Sequence, residues 1–414
     1  MKFSGLISSV VLLLAMNLVA FSQTPTVNPF GVVVQKAFNA DGTGPINPSA
    51  TGVIAEAKAL NVPFVRTSTS VYNGPSGLIE TPLRYSAAGL RVILNLNNTP
   101  PALPNGDRPP SVPPSDYNAY KATIAAAITK YQPELLVIEN EENNAQFYSG
   151  TATDYTNQLQ AAIDVAHANG AKVTNGGITE TEASMLVWSD YYSRGQQAQA
   201  DAWAQRSLEA RVANDLPTVA NPNRPILGNN PALAAQQGFV TAMFAAYKTL
   251  ALDYVNLHWY QYDPAHPPIR GADVLQDIVN FLRQSTGKDV ITNEIGERFV
   301  PAPEAVTSLL QKCLDLGMRY VIWFDGDGDP AVALHNGDGS LRPNGVAFRL
   351  EPRLQRVAVG DVAVVRAEQG RLAAHEVRLR VGVGHRAERG PADLAAEDLA
   401  PAVHDPELVD HGRG

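Results

Sequence analysis

Glu134-Leu-Leu-Val-Ile-Glu-Asn-Glu-Glu-Asn-Asn144 is the stretch that indicates how this chain folds. Its apolar part, Leu135 to Ile138, is typical of a strand that is covered on both faces, as in a parallel sheet. Three glutamates and three asparagines follow directly, and apolar packing does not explain them. Carboxylates crowded this closely raise one another's pKa, as a catalytic acid requires, although a solvated polar loop would have a similar composition.

A second stretch, Asp289-Val-Ile-Thr-Asn-Glu-Ile-Gly296, repeats this pattern of a short apolar run followed by an amide and a glutamate. Both stretches belong to a series of strand-like segments that alternate with helix-like ones. The eight predicted strands are Val32–Gln35, Val62–Arg66, Arg91–Asn95, Leu135–Glu139, Lys172–Asn175, Tyr254–His258, Val290–Thr292 and Tyr320–Trp323.

Helical patterns lie between these strands, and several have recognisable caps. A helix after nearly every strand predicts an α/β fold, a (β/α)8 TIM barrel. An open doubly wound sheet is the competing interpretation, but no phosphate-binding glycine pattern follows the first strand, so the barrel is favoured. The predicted helices are Ser49–Leu60, Ser115–Tyr131, Thr153–Asn169, Asp273–Gln284 and Pro303–Leu316.

Two connections are longer than a barrel needs. Leu96–Pro114 is rich in proline and follows the third predicted strand. Thr179–Leu250 follows the fifth and contains helical patterns over Met185–Asp215 and Pro231–Thr249. Loops at this end of a barrel commonly shape access to its site.

The chain has 414 residues and a formal net charge of −9. Its pI of about 5.4 argues against nucleic acid or an anionic membrane surface as a partner. Residues 1–22 have the pattern of a secretory signal peptide, with Lys2 before an apolar core that is too short to predict a membrane span. We therefore predict a secreted or periplasmic monomer, in which Cys313 is a buried free thiol.

The composition changes abruptly after Leu350. Residues 351–414 use ten residue types, without Phe, Trp, Tyr or Ile. This composition is typical of a disordered Arg/Ala/Glu-rich tail, or of a coding sequence that is read out of frame. We predict a catalytic barrel over residues 23–350 that does not need the tail, and whose closing helix begins near Pro343–Arg349.

Side chains at the carboxyl ends of parallel barrel strands converge on one site. Amides and phenols hydrogen-bond hydroxyl groups, an indole stacks on a pyranose face, and a pair of carboxylates cleaves acetals. These residue types therefore predict a site that processes a sugar. The residues predicted to lie there are Arg66, Asn95, Asn97, Asn140, Glu141, Asn175, His258, Tyr260, Glu294 and Trp323.

Over Phe30 to Arg349 the sequence resembles the clan A glycoside hydrolases. Asn140-Glu141 matches their Asn-Glu pair at the end of the fourth strand. Thr292-Asn293-Glu294-Ile295-Gly296 matches their Thr-Glu-x-Gly pattern at the seventh strand, with one inserted asparagine. The triplet His258-Trp259-Tyr260 is most similar to family 128, whose members cleave β-1,3-glucans.

The resemblance implies a retaining reaction. Glu141 would be the acid/base, with a raised pKa, and Glu294 the nucleophile that attacks the anomeric carbon. Arg66 and Tyr260 would keep the nucleophile ionised and correctly aimed. Asn140 would bind the 2-hydroxyl of the sugar.

The resemblance also makes Trp323 the floor of the −1 subsite, although an indole here could be ordinary barrel filling. Glu139 is a rival to Glu141 as the acid, because the two residues face the same way in an extended strand. Arg66 could instead be a structural ion-pair partner, and His258 a packed strand residue.

Asp325-Gly-Asp-Gly-Asp329 has the alternating carboxylates of a calcium loop. The distal bidentate glutamate of such loops is missing, so a polar turn is favoured. We predict neither a metal nor another cofactor.

These observations favour a secreted glycoside hydrolase that cleaves β-linked polysaccharides by double displacement with two glutamates. The alternative is a barrel that binds glycans without cleaving them, but a binding protein has no need of a carboxylate pair. The sugar, the linkage and the choice between endo and exo action stay open.

Overall fold

The computed structural model describes residues 28–34, 37–38, 45–46, 49–104, 107–262, 271–298, 303–326, 332–336 and 338–349. By its internal contacts the chain divides after Arg353. Three segments discussed above lie outside the described residues, namely the predicted signal segment at 1–22, residues 327–329 of the acidic stretch, and the tail at 351–414. Among the residues that the structure does describe, no helix is long and apolar enough to cross a membrane.

Within the described residues, eight parallel strands close into a barrel in the order β1-β8-β7-β6-β5-β4-β3-β2. Closure confirms the predicted (β/α)8 fold and excludes the open doubly wound sheet, which would have two edge strands. The strands are β1 Phe30–Val34, β2 Phe64–Ser70, β3 Arg91–Asn97, β4 Leu135–Ile138, β5 Val173–Asn175, β6 Tyr254–Tyr262, β7 Asp289–Arg298 and β8 Val321–Asp325.

Buried side chains form two separate layers, one inside the barrel and one between the barrel and the helices. Alternate strand residues point inward and form a small apolar plug, which includes Phe64, Val137 and Ile322. The other residues point outward and pack against the helices, where Val321 and Trp323 lie. The plug closes the lower part of the barrel, so a site can form only at the strand ends above it.

Helices cover the barrel strands, and their caps fix where they begin. Ser49 caps α1 through its Oγ, which lies 3.0 Å from the Gly52 amide, as predicted. The helix predicted from Ser115 begins instead at Tyr117, because the Asp116 carboxylate accepts hydrogen bonds from the Asn118 and Ala119 amides and so caps the helix. The helices are α1 Ala50–Leu60, α2 Thr81–Ala87, α3 Tyr117–Tyr131, α4 Ala152–Ala168, α5 Glu180–Ser193, α6 Gln197–Ser207, α7 Ala210–Ala213, α8 Pro231–Tyr247, α9 Ala272–Thr286 and α10 Pro303–Asp315.

A further helix over residues 343–349 follows β8, where the barrel needs its closing helix. Phe348 on this helix is fully buried, and its ring lies 5.8 Å from the rings of both Phe30 and Trp323. The helix therefore seals the seam between the first and the last strand. The aromatic residues that hold it there are encoded before the change in composition at Leu350.

One irregularity in β7 shapes the upper end of the barrel. Asn256 and His258 of β6 are two residues apart, yet they pair with Ile291 and Glu294, which are three apart. The pairing with β8 shifts at the same place, so β7 carries one extra residue, a β-bulge. The bulge accommodates the asparagine that interrupts the Thr-Glu pattern.

Candidate active site

A cavity of about 1230 Å³ opens at the carboxyl ends of the strands. Seven of the ten predicted site residues line it, whereas Asn175, His258 and Trp323 lie behind its wall. The cavity extends further along a lining that includes Tyr85, Arg108 and Phe147. The seven are Arg66, Asn95, Asn97, Asn140, Glu141, Tyr260 and Glu294.

Glu139 and Glu141 do not face the same way, contrary to the expectation from an extended strand. Strand β4 ends at Ile138, and the backbone of both glutamates is left-handed, with φ values of 65° and 41°. Such values are unusual for residues other than glycine and are held here by the surrounding contacts. Glu141 faces the cavity, and Glu139 turns into the protein.

Glu139 anchors the loop that carries Glu141. Its Oε1 accepts a hydrogen bond from the Asn98 amide at 2.9 Å and another from Gln158. Burial raises the pKa of Glu139 to about 7 despite these bonds. Since its carboxyl group is fully buried and does not line the cavity, Glu139 is not in a position to protonate a substrate.

Glu142 anchors the same loop from the other side. Its Oε1 accepts hydrogen bonds from the Tyr247 hydroxyl and, at 3.0 Å, from the Asn175 amide. Burial raises the pKa of Glu142. Asn175, predicted to contact the sugar, thus has a supporting role, because its amide is used inside the wall.

Glu294 is held as a carboxylate by three neighbours. It forms an ion pair with Arg66, and the Tyr260 hydroxyl donates to its Oε1 at 2.7 Å. Burial by itself would raise its pKa, but His258, Arg66 and Tyr260 outweigh burial and lower the pKa to about 2. Arg66 also donates to Asn140, so this guanidinium joins the nucleophile candidate to the Asn-Glu pair.

His258 lies behind the two glutamates and contacts both. Its Nδ1 is 3.0 Å from Glu141 Oε1 and 3.8 Å from Glu294 Oε2. Burial lowers the pKa of His258, but Glu294 and Glu141 outweigh that effect, and the pKa is raised overall. Gly177 makes room for the imidazole, since a Cβ there would lie 2.3 Å from His258 Nε2.

A chain of amides fixes which nitrogen of His258 carries a proton. Arg66 can only donate, so the atom of Asn95 that lies 3.0 Å from its Nε is Oδ1. The Asn293 atom next to Asn95 Oδ1 is then Nδ2, at 3.3 Å, which leaves Asn293 Oδ1 to accept from His258 Nε2 at 2.8 Å. Two arrangements satisfy the contact between His258 Nδ1 and Glu141. Either His258 is neutral and Nδ1 accepts a hydrogen bond from a protonated Glu141, or His258 is charged and Nδ1 donates to an ionised Glu141.

The β7 bulge makes this chain possible. Asn293 and Glu294 are adjacent and would point to opposite faces of a regular strand. With the bulge, both reach the barrel mouth: Asn293 bonds to His258 and Asn95, and Glu294 to Arg66 and Tyr260. The inserted asparagine is thus a part of the site that sequence reasoning missed, although its position in the motif was a signal.

Trp323, predicted as the floor of the sugar site, lies on the other side of β8. Its side chain is fully buried, and its Nε1 donates to the Val332 carbonyl at 2.7 Å. The neighbouring Phe324 lines the cavity instead. Residues alternate across a strand, so a prediction that is wrong by one position places the side chain on the wrong face.

Glu141, His258 and Glu294 could in principle hold a metal ion, since one ligand atom from each lies within 4.8 Å of the others. The guanidinium of Arg66 already supplies the positive charge next to Glu294. The arrangement is therefore better described as two carboxyl groups with a histidine between them.

No protein-family model matches the chain, and no curated protein matches it. Solved structures do match. One is a GH128 subgroup I endo-β-1,3-glucanase from Amycolatopsis mediterranei with laminarihexaose, 13% identical, with 78% of this chain and 98% of that chain covered and a TM-score of 0.42.

Two further structures match over a similar length. A GH128 subgroup III curdlan-specific exo-β-1,3-glucanase from Blastomyces gilchristii is 14% identical, with 78% and 99% covered and a TM-score of 0.42. An endo-β-1,4-glucanase from Xanthomonas axonopodis pv. citri is 15% identical, with 80% and 99% covered and a TM-score of 0.46. The choice of a function therefore depends on the site itself.

Proposed function

We propose that this protein is a glycoside hydrolase that cleaves β-linked polysaccharides with retention of configuration. The observation that carries the proposal is the pair formed by Glu141 and Glu294 in one cavity. Their nearest carboxylate oxygens lie within 4.8 Å of each other. Such proximity is compatible with a retaining enzyme, whose carboxyl groups are about 5–5.5 Å apart, and we propose that mechanism rather than inversion.

The two carboxyl groups have environments that suit opposite roles. Glu294 is surrounded by Arg66, Tyr260 and His258, which favour its ionised form and leave it ready to attack the anomeric carbon. Glu141 faces an imidazole nitrogen with which it shares one proton, so it can protonate the leaving oxygen. The resemblance to clan A assigns the same roles from the sequence.

The attack on the sugar would also prepare Glu141 to change from acid to base. When Glu294 forms its ester bond to the anomeric carbon it loses its negative charge, and His258 loses one of the two carboxylates that stabilise its charged form, so the proton that His258 shares with Glu141 passes to the leaving oxygen as the glycosidic bond breaks. The Glu141 carboxylate, having protonated the leaving group, can then take a proton from the incoming water.

The rest of the cavity suits a polysaccharide, whose sugar rings have polar hydroxyl groups and apolar faces. Asn97 lines it and brings a side-chain amide that can hydrogen-bond a sugar hydroxyl. Phe147 lines it too, with 40% of its surface exposed, and offers a ring for stacking on a sugar. Carbohydrate sites combine these two kinds of contact.

A panel of polysaccharides tests the proposal and separates it from a binding function. The purified protein is incubated with β-1,3-glucan, β-1,4-glucan, mannan and xylan, and released reducing ends are measured together with binding. Release from one or more β-linked polymers, abolished in Glu294→Gln, is the expected result. Binding without release would indicate a glycan-binding barrel instead.

We also propose that the protein is exported. The support is the pattern of residues 1–22, which lie outside the described residues. Expression in a secreting host, followed by sequencing of the amino terminus, should give a mature protein that begins at Gln23. An intracellular protein that retains Met1 would contradict the proposal.

A further inference from the structure

A second cluster of ionisable side chains lies outside the catalytic cavity, beside the seam between β1 and β8. Glu56 is on α1, Asp325 ends β8, and His335 follows in the connection to the last helix. All three side chains are fully buried. The proposed glycosidase reaction uses none of them.

The acceptor atoms of the cluster converge on one point. His335 Nδ1 lies 2.8 Å from Asp325 Oδ2 and 3.4 Å from Glu56 Oε2. One ligand atom from each residue lies within 4.8 Å of the other two. Two carboxylates and an imidazole of this arrangement provide the donor set of a divalent-cation site.

Glu56 supplies an independent indication that something is bound. Its side chain is fully buried, neither of its carboxylate oxygens has a hydrogen bond of ordinary geometry, and its ionisable neighbours are Asp325 and His335 of the same cluster. Buried carboxylates are ordinarily paired, hydrogen-bonded or bound to a metal. With one imidazolium the cluster is neutral only if Glu56 and Asp325 share a proton, and a bound dication would take the place of that proton.

We propose that Glu56, Asp325 and His335 bind a divalent cation of the zinc or manganese class. The imidazole nitrogen among the ligands favours these ions over calcium, which prefers six to eight oxygens. In a tetrahedral zinc site, ligand atoms are roughly 3.3–3.5 Å apart. The Glu56–His335 distance has that value, and the Asp325–His335 pair, now at hydrogen-bond distance, must open by roughly half an ångström.

The ion would hold one wall of the catalytic cavity. Asp325 Oδ1 accepts from the Leu334 amide at 2.9 Å, and the Trp323 indole donates to the Val332 carbonyl. Val332 and Phe324 both line the cavity. An ion that joins β8, this connection and α1 would therefore stabilise the wall without taking part in catalysis.

The test measures metal content and thermal stability in the full chain. The protein is treated with a chelator, exchanged into metal-free buffer, and offered Zn²⁺ or Mn²⁺. We expect about one ion per chain after gel filtration and a higher Tm than in the chelated protein. Both effects should be lost in Glu56→Gln and in His335→Gln.

The catalytic trio provides the matched control, because Glu141, His258 and Glu294 also approach within metal-binding distance. Glu294→Gln should keep the full equivalent of metal and the rise in Tm. A chain that binds no zinc or manganese, or that loses the metal in Glu294→Gln but not in Glu56→Gln, would overturn the proposal. In the first case a proton shared by Glu56 and Asp325 occupies the cluster. The result does not depend on whether any polysaccharide is cleaved.

Discussion

Glu294 is the residue on which the proposed reaction depends most directly. Glu294→Gln keeps the shape of the side chain and a hydrogen bond to Tyr260, but removes the negative charge that attacks the sugar. We expect kcat to fall by about three orders of magnitude or more, with the fold intact.

The control for this variant is Glu134→Gln. Glu134 pairs with Arg91 at the opposite end of β4, away from the cavity. Turnover of Glu134→Gln should be close to that of the wild type, and circular dichroism should show that both variants are folded. Near-normal turnover in Glu294→Gln would remove Glu294 from the mechanism.

Glu141 and Glu139 can be distinguished by chemical rescue. With an activated aryl glycoside the leaving group needs little protonation, so Glu141→Ala should still form the glycosyl-enzyme and then accumulate it. Azide replaces the missing base and should restore turnover. Glu139→Ala should lose stability and gain nothing from azide, because Glu139 faces the interior; rescue of that variant would reverse the assignment.

At the scale of elements, the connection between β5 and α5 supports the site through a glycine. Gly177 has a φ of +119°, and a Cβ there would collide with the His258 ring. Gly177→Ala should therefore lower Tm and also displace His258 from Glu141, so that activity falls more than stability requires.

Gly170 separates these two effects. It also has a positive φ, of +69°, but nothing lies within 4 Å of a Cβ built there. Gly170→Ala should cost about 1–2 kcal/mol of stability from its backbone alone and leave kcat unchanged. If Gly177→Ala lost stability alone, as Gly170→Ala should, the contact with His258 would have no catalytic importance.

The β7 bulge is the other element-scale feature that the site needs. Without the extra residue, Asn293 and Glu294 could not both face the barrel mouth, and the chain of amides that orients His258 would be broken. The mismatch with the Thr-Glu pattern is thus explained by strand geometry.

For the whole molecule, buried glutamates set the dependence of stability on pH. Burial raises the pKa of Glu139 from 4.5 to about 7 in the folded state. Between these values the unfolded chain releases a proton that the folded chain keeps, so stability falls as pH rises from about 4.5 to about 7. Glu294, with a pKa lowered to about 2, acts in the opposite sense, and its contribution is lost only below pH 4.5.

Glu139→Gln should remove part of this dependence. The variant carries no ionisable group at that position, so the decline in Tm from pH 4.5 to pH 7 should become shallower. Thermal melts of the wild type and the variant at pH 4.5, 5.5 and 7 measure how Tm declines with pH, with Glu134→Gln as a control outside the loop. Parallel curves would show that Glu139 does not titrate in this range.

The sequence alone determined the fold and located two glutamates that line the cavity. Apolar runs that end in polar residues, with helical patterns between them, were enough to predict eight strands and their closure into a barrel, because burial on both faces leaves a clear signal in each strand. The ends of those strands located Glu141 and Glu294, since parallel strands bring their carboxyl ends together.

Only the tertiary structure decided which way each side chain faces. The left-handed backbone at Glu139 and Glu141 separates two residues that alternation would align, and Trp323 points to the helices rather than into the cavity. The partners that impose these orientations, such as Gln158 on Glu139 and Phe348 on Trp323, are distant in the chain. Local patterns record burial and periodicity, whereas a side chain's direction at an irregular strand end is set by contacts that form only when the barrel closes.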